Sequence, residues 1–301
     1  MQGPRPLSWN TRGLIRAATI NRKGNLPMRW TLAAAALACA LMPTLSARPL
    51  VAQDLRASQV EITYGQPKEP ALQPIYERLK KRQVLEDLQQ FLSPLKLPRK
   101  LIVRLDECGA ATVHFQPGGP VTVCYEYIEE VEHIAYGPLR PDMIAGAFVQ
   151  ELLHEVARGV FDVLNVPIWG RVSDAADNFA AFIMLQFGKD VAVRTVRGTH
   201  LFFGAIAIFG SDASAADVRS SAAQRNFNTI CIAYGGDPTT FNDIVDVDDR
   251  FTPLPRARRG VCRQEYEAVR KSFDRYIRRH VDEAKLAKVR SMDWLRPDDG
   301  R

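Results

Sequence analysis

The residues best suited to chemistry lie together in the segment 151–158, which reads ELLHEVAR. In the pattern H-E-x-x-H, two histidines four residues apart face one zinc ion, and the glutamate polarises the attacking water. His154 and Glu155 hold the first two positions, but Arg158 stands where the second histidine is required. A guanidinium stays protonated and has no lone pair for a metal. The segment therefore contains only part of a zinc hydrolase motif.

Two interpretations of Arg158 remain open. The His-Glu pair can occur by chance in an amphipathic helix, with Glu155 and Arg158 as ordinary surface charges. Alternatively, Arg158 pairs with Glu155 or Asp177, and a salt bridge takes the place of the ion, because buried charges require partners. The second interpretation predicts a fold that is stable without metal.

The N-terminal segment, residues 1–53, is typical of a secretory signal peptide. Basic residues precede an apolar run from Trp30 to Leu41, and small residues follow it. Met28 is the expected start, since it directly precedes this run. The run is shorter than the roughly 20 residues that span a membrane, and we expect no later segment to reach that length. A periplasmic or secreted protein is the expected product.

The formal charge of +6 comes from this leader. Residues 1–53 contain seven of the 40 Lys and Arg residues and none of the 34 Asp and Glu residues, which leaves 33 basic against 34 acidic residues. A nearly neutral mature chain lacks the basic excess of a nucleic-acid-binding protein. The remaining residues, 54–301, are predicted to form a single domain.

The cysteines predict disulfides. Removal of the leader takes Cys39 away and leaves four cysteines, an even number in an exported chain. Four cysteines allow three connectivities, but Cys108 and Cys124 flank a hairpin-like stretch. This favours Cys108–Cys124 and Cys231–Cys262. A Cys/His metal site is disfavoured because paired C-x-x-C spacing is absent.

Hydrophobic spacing predicts an α+β fold, with a small antiparallel sheet on a mainly helical core. The sequence Pro117-Gly118-Gly119-Pro120 predicts a hairpin turn between two β-prone runs. Apolar residues at every fourth position between Ile144 and Leu164 predict a buried central helix that starts near Pro141. The other predicted strands are 59–64 and 101–105, and the other predicted helices include 72–92, 214–233 and 263–289.

Four segments in order resemble one family. They are Glu107-Cys108-Gly109, then Cys124-Tyr125-Glu126, then His154-Glu155, then Pro167-Ile168-Trp169-Gly170-Arg171 leading into Asp174-Ala175-Ala176-Asp177. Together they resemble a family of exported bacterial proteins of unknown function described as "putative zinc metallopeptidases". Its members typically carry H-E-x-G-H, then a Pro-x-x-Gly-Arg turn, then Glu-Glu-Asp-Ala-Ala-Asp. The resemblance extends from about residue 97 to residue 262 and implies a zincin-like fold.

The resemblance implies a gluzincin-like site, in which a glutamate on a second helix is the third zinc ligand. By position, His154 would be the first ligand, Glu155 the general base and Asp177 the aspartate that supports a ligand histidine. Arg158 occupies the position of the second ligand. The two glutamates are replaced by Val172 and Ser173. Two of three expected ligands are absent, so we expect zinc, the family's cofactor, to bind weakly or not at all.

Three functions follow as expectations. The first is an exported pseudoenzyme that keeps a peptidase scaffold and binds a peptide or protein in the periplasm. The alternative is an active zinc-dependent hydrolase with an altered ligand set, in which His154 acts with Asp174 or Asp177 and His133 is a further candidate. The third is a structural protein without a cleft.

Overall fold

A computed structural model describes residues 59–210, 218–246, 254–286 and 289, which all fall within one compact unit. The predicted signal peptide and its start at Met28 lie outside the described residues. The strands are β1 (Val60–Tyr64), β2 (Leu101–Asp106), β3 (Val113–Phe115) and β4 (Val121–Cys124). The helices are α1 (Gln73–Lys81), α2 (Val84–Leu92), α3 (Tyr125–Ile134), α4 (Arg140–Val163), α5 (Val172–Met184), α6 (Lys189–Phe209), α7 (Ala222–Gly236), α8 (Pro238–Asp246), α9 (Arg256–Tyr276) and α10 (Glu283–Leu286).

The four strands form one mixed sheet in the order β1-β2-β4-β3. Strands β1 and β4 run parallel to β2, whereas β3 pairs antiparallel with β4. The α+β class and the hairpin are therefore confirmed, but the prediction of an antiparallel sheet is wrong. Strands β1 and β2 are joined through α1 and α2, and a connection of that length permits parallel pairing.

Helix α4 is the centre of the fold. It packs against α5, α6 and the edge strand β3, and most of its residues are buried. Its N-terminal turn contains Pro141, whose missing N–H is not needed there. After its last turn, Asn165 and Gly170 have φ angles of 49° and 100° and lead the chain toward α5. The predicted central helix is confirmed, and α5 is placed beside it.

Helices α4 and α6 cross at two glycines. A Cβ atom at Gly198 would lie 1.8 Å from the carbonyl oxygen of Asp142, and one at Gly146 would lie 2.3 Å from the backbone nitrogen of Thr199. The hydroxyl of Thr199 donates to the carbonyl of Gly146 at 3.0 Å. The two backbones therefore approach more closely than any side chain at these glycines would allow.

Helix α6 contradicts the expectation that no segment after residue 53 is long enough and apolar enough to span a membrane. Its 21 residues are long and apolar enough to cross a membrane, judged by length and composition only. Most of the helix is buried inside the protein, where it packs against α4 and α7. Such burial is typical of a core helix, and a single helix of this kind is weak evidence for a membrane span.

Three predicted helices have different bounds in the structure, and one of them, predicted at 214–233, is α7, which starts only at Ala222. The predicted helix 72–92 is divided into α1 and α2 because Gln83 adopts a left-handed conformation with φ 53°. The hydroxyl of Tyr64 accepts a hydrogen bond from the nitrogen of Leu85 at 2.9 Å and so ties the start of α2 to β1. The last long helix, α9, starts at Arg256 and includes the basic cluster that precedes Cys262.

Both predicted disulfides, Cys108–Cys124 and Cys231–Cys262, are present. The first joins the end of β4 to the loop after β2. In that loop the nitrogens of Cys108 and Gly109 donate to the carboxylate of Glu126 in α3, at 2.9 Å and 2.5 Å. Two disulfides indicate an oxidising compartment, because cytosolic thiols are kept reduced.

Candidate active site

The site is centred on two adjacent side chains of α4. His154 and Glu155 are both 0 % exposed. The Nδ1 atom of His154 lies 2.7 Å from Oδ1 of Asp177, which is in the second turn of α5. A carboxylate can only accept, so Nδ1 carries the proton and donates it. In the neutral ring, Nε2 then has the lone pair. Asp177 therefore orients the ring of His154 through this hydrogen bond.

Asp177 is held by more than the histidine. The Nε atom of Arg225 in α7 donates to Oδ2 at 2.9 Å, and Nη2 donates to Oδ1 at 2.7 Å. The amide of Gln150 donates to Oδ1 at 3.0 Å. Burial alone would raise the pKa of Asp177, but the charge of Arg225 and the hydrogen bonds from His154 and Arg225 hold that pKa well below its usual value.

Glu155 is bound by two guanidinium groups, one on each carboxylate oxygen. Nη1 of Arg158 donates to Oε2 at 2.6 Å, and Nη2 of Arg219 donates to Oε1 at 2.7 Å. Arg158 follows Glu155 by three residues on α4, whereas Arg219 comes from the segment before α7. Of the two partners that we expected for Arg158, the structure therefore pairs it with Glu155.

A third carboxylate, Glu151, completes the network. It contacts Nη1 of Arg225 at 2.5 Å and Nη1 of Arg219 at 3.4 Å. Burial would raise the pKa of Glu151, but the charges of Arg225 and Arg219 lower it overall. The three carboxylates Glu151, Glu155 and Asp177 are thus matched by the three guanidinium groups of Arg158, Arg219 and Arg225.

The start of α5 carries the other residues that the resemblance marks. Val172 is 44 % exposed and has no metal-binding atom, and Ser173 is buried. Asp174 accepts a hydrogen bond on Oδ1 from the hydroxyl of Ser220 at 2.5 Å. The guanidinium of Arg171 donates to the same hydroxyl oxygen at 3.4 Å. Residues 219 and 220 therefore contact both α4 and α5.

These side chains do not form a zinc-binding set. Zinc needs about four donors at roughly 2.0–2.3 Å. Within the described residues, one group of three His, Cys, Asp or Glu side chains has all its ligand atoms within 4.8 Å of one another, and it consists of Cys108, Cys124 and Glu126. Its sulfurs are joined in a disulfide, so they are not thiolate ligands. His133, at the end of α3, is exposed and belongs to no such group in this part of the chain.

Within the described residues, two buried atoms of the network, Oε1 of Gln150 and Nε2 of His154, have no hydrogen-bond partner. Nε2 of His154 is buried and makes no hydrogen bond, and the nearest carboxylate oxygen of Glu155 lies 3.8 Å away. A buried polar atom of this kind requires an explanation. Nε2 of His154 is the atom that would donate its lone pair to a metal, but Arg219 and Arg158 already occupy the neighbouring carboxylate.

A cavity of about 220 Å³ opens beside the network. Its lining includes Glu151, Arg219 and Arg225 together with Ala111 and Thr112, which directly precede β3. Because β3 is an edge strand, the cavity lies where the sheet edge approaches α4.

Sequence reasoning missed Arg219, Arg225 and Gln150. Arg225 lies in a predicted helix, but no spacing relates it to residues 48 and 74 positions earlier. Gln150 precedes His154 by four residues, so its place on the same helical face was the one available signal. Arg219 precedes the first residue of α7 by three positions and belongs to no motif.

Comparison with known proteins identifies the family of the chain. A family model described as "Putative metallopeptidase", for a domain of unknown function, matches residues 64–277. No curated protein and no solved structure matches the chain. The matched range covers most of the chain and contains β2, β3, β4, α4, α5 and both disulfides. The chain therefore belongs to the family described as "Putative metallopeptidase".

Proposed function

We propose that this protein is an exported, non-hydrolytic member of its family that binds peptides or protein segments without a metal ion. The observation that carries the proposal is the state of Glu155. Both of its oxygens are occupied by guanidinium groups, at 2.6 and 2.7 Å. A general base must be able to accept a proton from water, and a metal-bound water must lie next to it. A carboxylate with an arginine bound to each of its oxygens meets neither condition.

The family resemblance supports the same conclusion. Relative to H-E-x-G-H and Glu-Glu-Asp-Ala-Ala-Asp, this chain lacks the second histidine and both glutamates. A zinc ion at this position would have His154 as its single remaining ligand on α4. It would also lie close to the permanent charge of Arg158, and like charges repel strongly in a buried site.

Peptide binding is the function that the remaining architecture supports. Strand β3 lies at the edge of the sheet, next to α4 and the cavity. An extended peptide can add to such an edge through main-chain hydrogen bonds while a pocket receives one of its side chains. The disulfides fit a periplasmic or secreted location.

Two experiments test the proposal on the mature chain, expressed in an oxidising compartment. The first measures turnover of a fluorogenic peptide library with and without zinc. We expect no turnover, whereas cleavage that a chelator stops and that His154→Ala removes would contradict the proposal.

The second measures peptide binding on an immobilised library. We expect Ala111→Trp, which places a large side chain at the cavity, to weaken binding at least tenfold. Ala110→Trp is the matched control, because Ala110 is also exposed but does not line the cavity. Equal binding by both variants, or no binding by the unmodified protein, would contradict peptide recognition at this site.

One observation favours a second function, an active hydrolase with an altered ligand set. The unpartnered Nε2 of His154 is poised to coordinate, and Asp174 lies on the adjacent helix. This function requires Arg219 to leave Glu155 when metal enters. It predicts that added zinc accelerates peptide cleavage by the unmodified protein and not by Asp174→Asn.

A further inference from the structure

Two consecutive residues connect the two helices of the site. Arg219 binds α4 through Glu155 at 2.7 Å and Glu151 at 3.4 Å. Ser220 binds α5 through Asp174 at 2.5 Å. Ser220 is 5 % exposed, and Asp174 is half-buried. We call these two residues the Arg219–Ser220 bridge.

The Arg219–Ser220 bridge joins two helices, as a zinc ion does in a gluzincin-like site. There, ligands from one helix and one ligand from the next helix meet on the ion, so that the ion joins both helices. Here a cation contacts α4 and the neighbouring hydroxyl contacts α5. The substitution also satisfies charge, since Glu155 is fully buried and would otherwise depend on Arg158 alone.

We propose that the Arg219–Ser220 bridge replaces the metal ion structurally, by supplying positive charge to Glu155 and by joining α4 to α5. The inference rests on the proposed function in one respect, the absence of a bound metal. Arg219 is a positioning residue in this account.

Arg158 does not fulfil the same role. It lies on α4 itself, three residues after Glu155, so its ion pair stays within one helix. Its loss removes charge from Glu155 but breaks no link between helices. Arg225 joins α7 to both α4 and α5, but its bonds go to Glu151 and Asp177 and leave Glu155 untouched. Arg219 and Ser220 are therefore the residues with which to test the bridge.

The test compares variants of the full mature chain in denaturant unfolding and hydrogen exchange. We expect Arg219→Ala to raise the unfolding equilibrium constant about ten- to a hundredfold, because a buried carboxylate loses one of its partners. The double variant Arg219→Ala/Glu155→Gln should lose less stability than the sum of the losses in the two single variants, since both changes remove the same interaction. Arg219→Ala/Ser220→Ala should increase exchange in both α4 and α5, whereas Arg158→Ala should leave exchange in α5 unchanged.

The matched control is Arg99→Ala. Arg99 pairs with Asp162 on the surface at 2.6 Å, and its side chain is about half exposed. Removal of such a pair changes stability little. If Arg219→Ala unfolds no more readily than Arg99→Ala, and Arg219→Ala/Ser220→Ala leaves exchange in α5 unchanged, the bridge has no structural role.

A separate readout distinguishes this failure from failure of the proposed function. Each unfolding curve is repeated with a chelator and with added zinc. A chelator that destabilises the unmodified protein would contradict metal independence, whatever Arg219→Ala does. A different outcome would contradict the bridge but not the proposed function. In that outcome, neither the chelator nor zinc changes the unfolding curve of the unmodified protein, and Arg219→Ala does not change its stability.

Discussion

At the scale of single residues, the site is determined by how buried charges are compensated. Asp177 accepts from a histidine, an amide and an arginine, and Glu155 accepts from two arginines. Removal of one partner from a buried ion pair is costly, because the other charge stays in a poorly solvating interior. The chemistry of the site therefore depends on side chains that no metal-binding motif contains.

Arg225 should be the most sensitive of these residues. Its side chain is 9 % exposed, binds Asp177 and Glu151, and stacks over the ring of Phe203 at 4.5 Å. We expect Arg225→Met to lower the free energy of unfolding by about 3–5 kcal/mol. The control is Arg278→Met, since Arg278 also binds two carboxylates but is 54 % exposed. That substitution should lower the free energy of unfolding by less than about 1 kcal/mol. Equal losses in chemical denaturation would contradict the role of burial.

The lowered pKa of Asp177 predicts a pH dependence. A carboxylate whose pKa is lower in the folded state contributes stability that is fully present above its unfolded value, about 3.9, and is lost as the pH falls through the folded value. We expect Asp177→Asn to be less stable than the unmodified protein at pH 7, and the difference to narrow below about pH 4. A difference that stays constant from pH 7 to pH 3 in urea unfolding would show that Asp177 is not preferentially ionised in the folded state.

At the scale of elements, the site depends on how closely α4 meets its neighbours. The motif face of α4 carries Glu151, His154, Glu155 and Arg158. Nearer the start of α4, Gly146 packs against Gly198 of α6. This crossing fixes the direction of α4 and so the position of the network.

Gly198→Ala tests the crossing. The added Cβ would lie 1.8 Å from the carbonyl oxygen of Asp142, so the helices must separate. We expect a loss of about 1–3 kcal/mol in unfolding free energy, the usual cost of overpacking. Gly260→Ala is the control, because Gly260 lies in α9 with no atom within 4 Å of its added Cβ. That change should stabilise α9 by about 0.5–1 kcal/mol. Calorimetric melting temperatures that move in the same direction for both variants would contradict this account.

The elements also show what sequence patterns can determine. The turn sequence 117–120 between two β-prone runs was sufficient to predict the hairpin, and the four-residue spacing in α4 was sufficient to predict the central helix. The direction of strand pairing was not predictable, because β1 and β2 have the same buried alternation in either orientation. The break between α1 and α2 at Gln83 depends on contact with Tyr64, which lies in another element. Long-range contacts of this kind leave no local signal.

At the scale of the whole molecule, the described residues belong to one compact unit, and two disulfides cross-link the chain within it. The loops between the bonded cysteines span 16 and 31 residues, and cross-links of that length contribute about 3 kcal/mol each in the chain-entropy model. Their pairing could be predicted because the cysteines were few and one pair flanked a hairpin. Of the charged network, the sequence pointed to His154, Glu155, Arg158 and Asp177, whereas Arg219 and Arg225 meet them through the tertiary fold.

The central claim is that this member of the family folds and acts without zinc. Its most direct test is elemental mass spectrometry of the mature protein, purified from an oxidising compartment without chelators or metal-affinity steps. We predict far less than one zinc ion per folded chain, and the same content in His154→Ala. Close to one zinc ion per chain, lost in His154→Ala, would contradict the claim and establish a rebuilt metal site.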